Sequence, residues 1–87
     1  MKYIVCGASS DGNGDIDCGL VVCKTLEDAV KSVYDEMVQN CGGEYQDWMP
    51  CSDEIIDRHE HGLPIIVKSS DSGSDYDYAW RIVAVEN

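Results

Sequence analysis

Between Thr25 and Gly43 the chain carries the pattern that most restricts its fold, an amphipathic helix with one apolar face. Leu26, Ala29, Val30, Val33 and Met37, with Tyr34 beside them, recur at three- and four-residue spacing. Thr25 stands at the N-cap position, and Glu27 and Asp28 fill the first turn, where carboxylates oppose the positive end of the helix dipole. Asn40 to Gly43 supply the stop, so the spacing predicts a helix over residues 25 to 40. A single apolar stripe needs another layer to cover it.

The flanking segments supply that layer. Residues 2 to 9 and 16 to 24 are rich in Ile, Val, Leu, Tyr and Cys and bracket Asp11-Gly12-Asn13-Gly14-Asp15, the signature of a hairpin. Residues 44 to 51 have no period and predict a loop pinned by Trp48. Ser52-Asp53-Glu54 predicts the cap of a short helix carrying Ile55 and Ile56 and ending near Gly62. Residues 63 to 68 and 78 to 85 predict a second hairpin joined by a loop over residues 69 to 75. The expected fold class is therefore α+β. A four-stranded antiparallel sheet of two β-hairpins, in the order β-β-α-α-β-β, packs against one long and one short helix in a single domain, 1–87. In such a sheet the first and third strands run the same way, so both hairpin loops emerge at one end. Asp11, Asp15 and Asp17 are then expected near Asp71, Asp75 and Asp77.

A chain of 87 residues buries only about 60 to 65% of its unfolded surface, which leaves little interior for a deep substrate cavity. Binding at loops or on an open surface is the expected design. Charge narrows the partners. There are 17 Asp and Glu against 6 Lys and Arg, a net charge of −11. Such a chain is repelled by phosphate, and its cations are scattered, so direct nucleic-acid contact is not expected. A basic protein, itself a binder of nucleic acid, fits better. The apolar fraction of 44% separates the chain from disordered acidic tails. The short apolar run at residues 3 to 6 reads as neither an export signal nor a membrane anchor. Five cysteines without a paired framework predict reduced thiols in a cytosol.

The candidate site is the acidic end of the sheet: Asp11, Asp15, Asp17, Asp71, Asp75 and Asp77, with Tyr76 and Tyr78 adding rigid contact area beside them. The plainer reading of these Asp, Ser and Gly residues is that they build turns. Asp11, Asn13, Asp15 and Asp17 alternate like the first ligands of a calcium loop, yet Ile16 replaces the required Gly and Val22 the bidentate Glu. Cys41, Cys51, His59 and His61 match no common zinc spacing; buried reduced cysteines and solvated histidines are expected instead. Cys6, Cys18 and Cys23 read as small core residues. Neither a nucleophile elbow nor a phosphate-binding glycine loop is present, so the expectation is no enzyme, no catalytic residue, no metal and no cofactor. Glu27, Lys31 and Asp35 are spaced to pair along a solvated helix face.

The early Asp and Gly loop leading into Asp17-Cys18-Gly19-Leu20, the acidic helix after it and the C-terminal Trp80-Arg81-Ile82-Val83 are similar to features of phage-encoded anti-CRISPR proteins. The resemblance is to the type II-C inhibitors that cap the HNH nuclease domain of their target. It implies a class of action: inhibition, in the cytoplasm of a bacterial host, of a CRISPR nuclease whose basic or catalytic groove is occupied by acidic loops that mimic nucleic acid. The alternative is a small metal-binding or regulatory protein of a phage or mobile element with no nuclease target.

Overall fold

A computed structural model describes residues 1–72 and 76–86, with residues 71 and 72 described by their backbone. The chain runs β1 (Lys2–Ser10), β2 (Ile16–Cys23), α1 (Leu26–Asn40), α2 (Ser52–Glu60), β3 (Ile65–Val67), α3 (Ser69–Ser72) and β4 (Asp77–Val85). The strands form one antiparallel sheet in the order β2-β1-β4-β3, so the fold is the expected α+β arrangement. The two hairpins join through β1 and β4 at its centre. Ser10 lies between Ile16 and Asp77, which places both hairpin ends at the same end of the sheet.

Helix α1 begins as its residue types require. Thr25 is extended, and its Oγ1 accepts from the Asp28 amide at 3.1 Å. It stops where Gly42 and Gly43 take φ of 111° and 80°, and the Gly43 amide donates back to the Val38 carbonyl at 2.8 Å. Ala29, Val30, Val33 and Met37 are buried against Val5, Ile65, Val67, Trp80 and Ile82 of the sheet, with Ile55 of α2 completing the core. Since side chains alternate across a strand, one face of the sheet meets the helices. On that face lie Tyr3, Val5, Gly7 and Ser9 of β1 and Tyr78, Trp80 and Ile82 of β4. Among the described residues no helix is long and apolar enough to cross a membrane.

Several local expectations are corrected. The second connection is not all loop: residues 69 to 72 form the single turn α3, and β3 is only three residues long. The cap of α2 is Cys51, with Ser52 already helical and no side-chain cap bond. Met49, 3% exposed, anchors the 44 to 51 loop, whereas Trp48 lies at the surface and donates to Gln46 Oε1 at 2.8 Å. His59 is not merely solvated. Its Nδ1–H donates to the Ile82 carbonyl at 3.0 Å and its ring meets Tyr3 edge-on, which docks α2 onto β4. Cys23 and Cys41 are buried, but Cys18 and Cys51 are exposed and Cys6 is half-buried. Among the described residues the ion pair formed is His61–Asp57, at 3.5 Å; the Glu27–Lys31–Asp35 row does not close.

Candidate functional site

Two register rows build a hollow on the helix-facing side, beside the hairpin ends. Ser9 lies between Asp17 and Tyr78, and Gly7 lies between Gly19 and Trp80. Directly opposed residues point to one face, so two adjacent glycines leave the sheet bare at that row. Trp80 covers one of them: a Cβ on Gly7 would sit 3.2 Å from Trp80 Cδ1. A Cβ on Gly19 would meet nothing within 4 Å. The resulting hollow of about 240 Å³ is walled by Ser9, Asp17, Val21, Glu36, Asn40, Tyr78 and Trp80, with both glycines among its lining.

Its charge is one-sided. Asp17 and Glu36 line it, and among the described residues no Lys, Arg or His does. Helix α1 ends beside the hollow at Asn40 with no basic residue in its last turn, so the negative end of its dipole lies near the hollow without a neutralising cation from that turn. Trp80 Nε1–H donates to Glu36 Oε2 at 3.0 Å, which orients the carboxylate and leaves it further lone pairs. Asn40 Nδ2–H donates to the Glu36 carbonyl at 2.8 Å. Tyr78 stacks on Trp80 at 5.7 Å and 10°, and Tyr76 continues the aromatic row 6.3 Å from Tyr78. Carboxylates and a helix C-terminus favour a cation, through charge-assisted hydrogen bonds.

Asp17 and Tyr78, expected at the site, line this hollow, with Tyr76 next to it. Asp11 and Asp77 do not converge with them. Asp11 Oδ1 accepts from the amides of Asn13 at 2.8 Å and Asp15 at 3.3 Å, so it closes its own turn. Asp77 belongs to the opposite face of the sheet, and its Oδ1 accepts from the Ser69 amide at 2.7 Å. Asp15 stays within the first turn, Asp71 falls in α3, and Asp75 lies outside the described residues. The plain turn-forming role thus holds for Asp11, while Asp77 ties α3 to β4.

Glu36 carries no sequence signal that assigns it to the site, and Gly19 and Trp80 enter the sequence reading only through the family resemblance, not as site residues. Glu36 belongs to a helix with many carboxylates, and Trp80 reads as core, which at 3% exposure it is. Only the register, by setting Gly7 beside Gly19 and Trp80, brings them together. Among the described residues no three His, Cys, Asp or Glu side chains converge as a metal site. Neither a known protein family, nor a curated protein, nor a solved structure matches the chain.

Proposed function

We propose that this protein acts by binding a basic protein, and that the hollow beside the hairpin ends receives a Lys or Arg side chain from it. The observation that supports this reading is the convergence of Asp17, Glu36 and the C-terminal end of α1 on a hollow bordered by Tyr78 and Trp80, with no Lys, Arg or His among the described residues that line it. The net charge of −11 draws such a partner in and raises the association rate. Basic surfaces of this kind belong to proteins that bind nucleic acid. By the sequence resemblance, the partner is a CRISPR nuclease in a bacterial host, and occupation of its basic groove inhibits cleavage.

The test is DNA cleavage by a purified type II-C CRISPR nuclease with increasing amounts of this protein. Inhibition is expected, and it weakens roughly 10- to 100-fold in the Asp17→Asn, Glu36→Gln double variant, since charge-assisted hydrogen bonds contribute about 1.5 to 3 kcal/mol. Gln at position 36 keeps an acceptor for the Trp80 indole, so the fold is preserved. Full cleavage at saturating protein rules out that nuclease as the target. Inhibition that the double variant retains in full removes the hollow from the mechanism.

A further inference from the structure

Among the described residues no helix covers the other face of the sheet, which is largely apolar. Register places Ile4 of β1, Leu20 and Val22 of β2, Val83 and Val85 of β4 and Ile66 of β3 on it. Leu20 is 71% exposed and Val22 65% exposed, values unusual for large aliphatic side chains in the middle of a strand. Beside Leu20 runs a trough of about 630 Å³ whose floor is small residues, Cys6, Ala8, Cys18 and Ala79, with Leu20 on one side and Pro64 and Arg81 on the other. We infer that this face is covered by a second copy of the same chain, two sheets packing face to face with the helices outside.

Charge and area support a second copy. The strand positions put three charged residues on this face, Lys2, Asp77 and Arg81, two of them cations in a chain of net charge −11. Arg81 donates to the Gly62 carbonyl at 3.0 Å and Asp77 accepts from the Ser69 amide at 2.7 Å, which holds both heads along the β3 margin and leaves Lys2, at the end of β1, as the charge on the β1–β2 half. With layers about 10 Å apart, the two acidic helix layers of such a dimer stand about 30 Å from each other, several times the screening length of about 8 Å at physiological salt. The repulsion that a charge of −11 implies is therefore mostly screened in this arrangement.

Three long strands, each eight or nine residues, give a plan area on the order of 400 Å². With β3 and side-chain relief this becomes roughly 600 Å² per copy, or about 1,200 Å² in total, at the lower bound of stable specific interfaces. A two-fold axis across the strands sets the Asp77 end of one copy over the Lys2 end of the other and lays β2 over β2, so that the exposed Leu20 and Val22 side chains of the two copies meet. An axis along the strands would stack the two acidic hairpin ends. The hollow of the proposed function lies on the opposite face, so the dimer presents two of them, pointing away from each other.

Sedimentation equilibrium of the purified chain from micromolar to submillimolar concentration, paired with the Leu20→Lys, Val22→Lys double variant, tests this. The wild type is expected to reach twice the monomer mass, with dissociation that does not increase on adding salt. The double variant, whose side chains are exposed in the monomer, keeps the wild-type circular dichroism and dissociates about a hundredfold more readily. Its charge falls in magnitude from −11 to −9, so added repulsion cannot account for the loss. A wild type that stays monomeric throughout overturns the proposal. So does a variant that dimerises as tightly as wild type, which assigns association to the open edge of β2 instead.

Discussion

Gly7 and Gly19 face each other in the sheet and lack the same atom, yet their substitution is expected to have opposite effects. A methyl on Gly7 presses on Trp80 Cδ1 at 3.2 Å and Nε1 at 3.4 Å. Gly7→Ala is therefore expected to destabilise by about 1 kcal/mol, the crowding outweighing the reduced freedom of the unfolded chain. Gly19→Val points into empty space and suits a strand. It should preserve or raise the urea midpoint while filling the hollow and abolishing partner binding. Loss of stability in Gly19→Val, or retained binding, contradicts the placement of the site. At His61, the hydrogen bond from Nδ1 to the Asp57 carbonyl, and then the Asp57 carboxylate, hold the imidazole above its ordinary pKa. The stability this contributes is complete below the ordinary value and is lost as pH rises through the raised one. NMR titration should find His61 above about 6.5, with Asp57→Asn lowering it only in part because the backbone bond remains. An Asp57→Asn shift back to the ordinary value would give the carboxylate, not the carbonyl, the larger share. Single residues were the least legible part of the sequence. Asp17 and Tyr78 were readable as candidates, but Asp11 and Asp77 look the same in sequence and serve as local hydrogen-bond acceptors.

Elements were far more legible, because their signals are local. Helix α1 announces itself through the Thr25 cap, the acidic first turn, the apolar period and the two terminal glycines, each of which has its expected role. Thr25→Ala is accordingly expected to cost about 1 kcal/mol. Met37→Ala, which empties a fully buried position, is expected to cost about 2 to 5 kcal/mol in chemical denaturation. Equal effects of the two would show that α1 is held by its own propensity rather than by packing. What escaped the sequence at this scale is what depends on distant partners. Ser69 to Ser72 carries no helical period, and its single turn is held by Asp77, eight residues from Ser69. The role of His59 needs Ile82, 23 residues away. The exposure of Cys18 follows from β2 being an edge strand, which periodicity alone does not reveal.

For the molecule as a whole, antiparallel direction was enough to predict that both hairpins end together, and the Ile16–Ser10–Asp77 row places them so. Direction does not say which face each carboxylate takes. The acidity therefore divides: Asp17 joins Glu36 on the helix side, while Asp77 lies across the sheet and leaves that face largely apolar. The two surfaces have different physics. Partner binding at the hollow should weaken by at least tenfold as salt rises from low to physiological strength, whereas association through the apolar face should hold or strengthen. The same salt response for both would mean that one surface does both jobs.

The central claim is that the hollow takes a basic side chain, and Trp80 reports on it directly because its indole N–H is bonded to Glu36 at the site. The decisive measurement is an amide and indole NMR titration with a short arginine-rich peptide at low salt. Saturable shifts are expected at the Trp80 indole and at the Ser9, Asp17 and Gly19 amides, and they should disappear in the Asp17→Asn, Glu36→Gln variant. Shifts spread over the amides of the acidic residues of α1 and α2, with the Trp80 indole unmoved, would contradict the account.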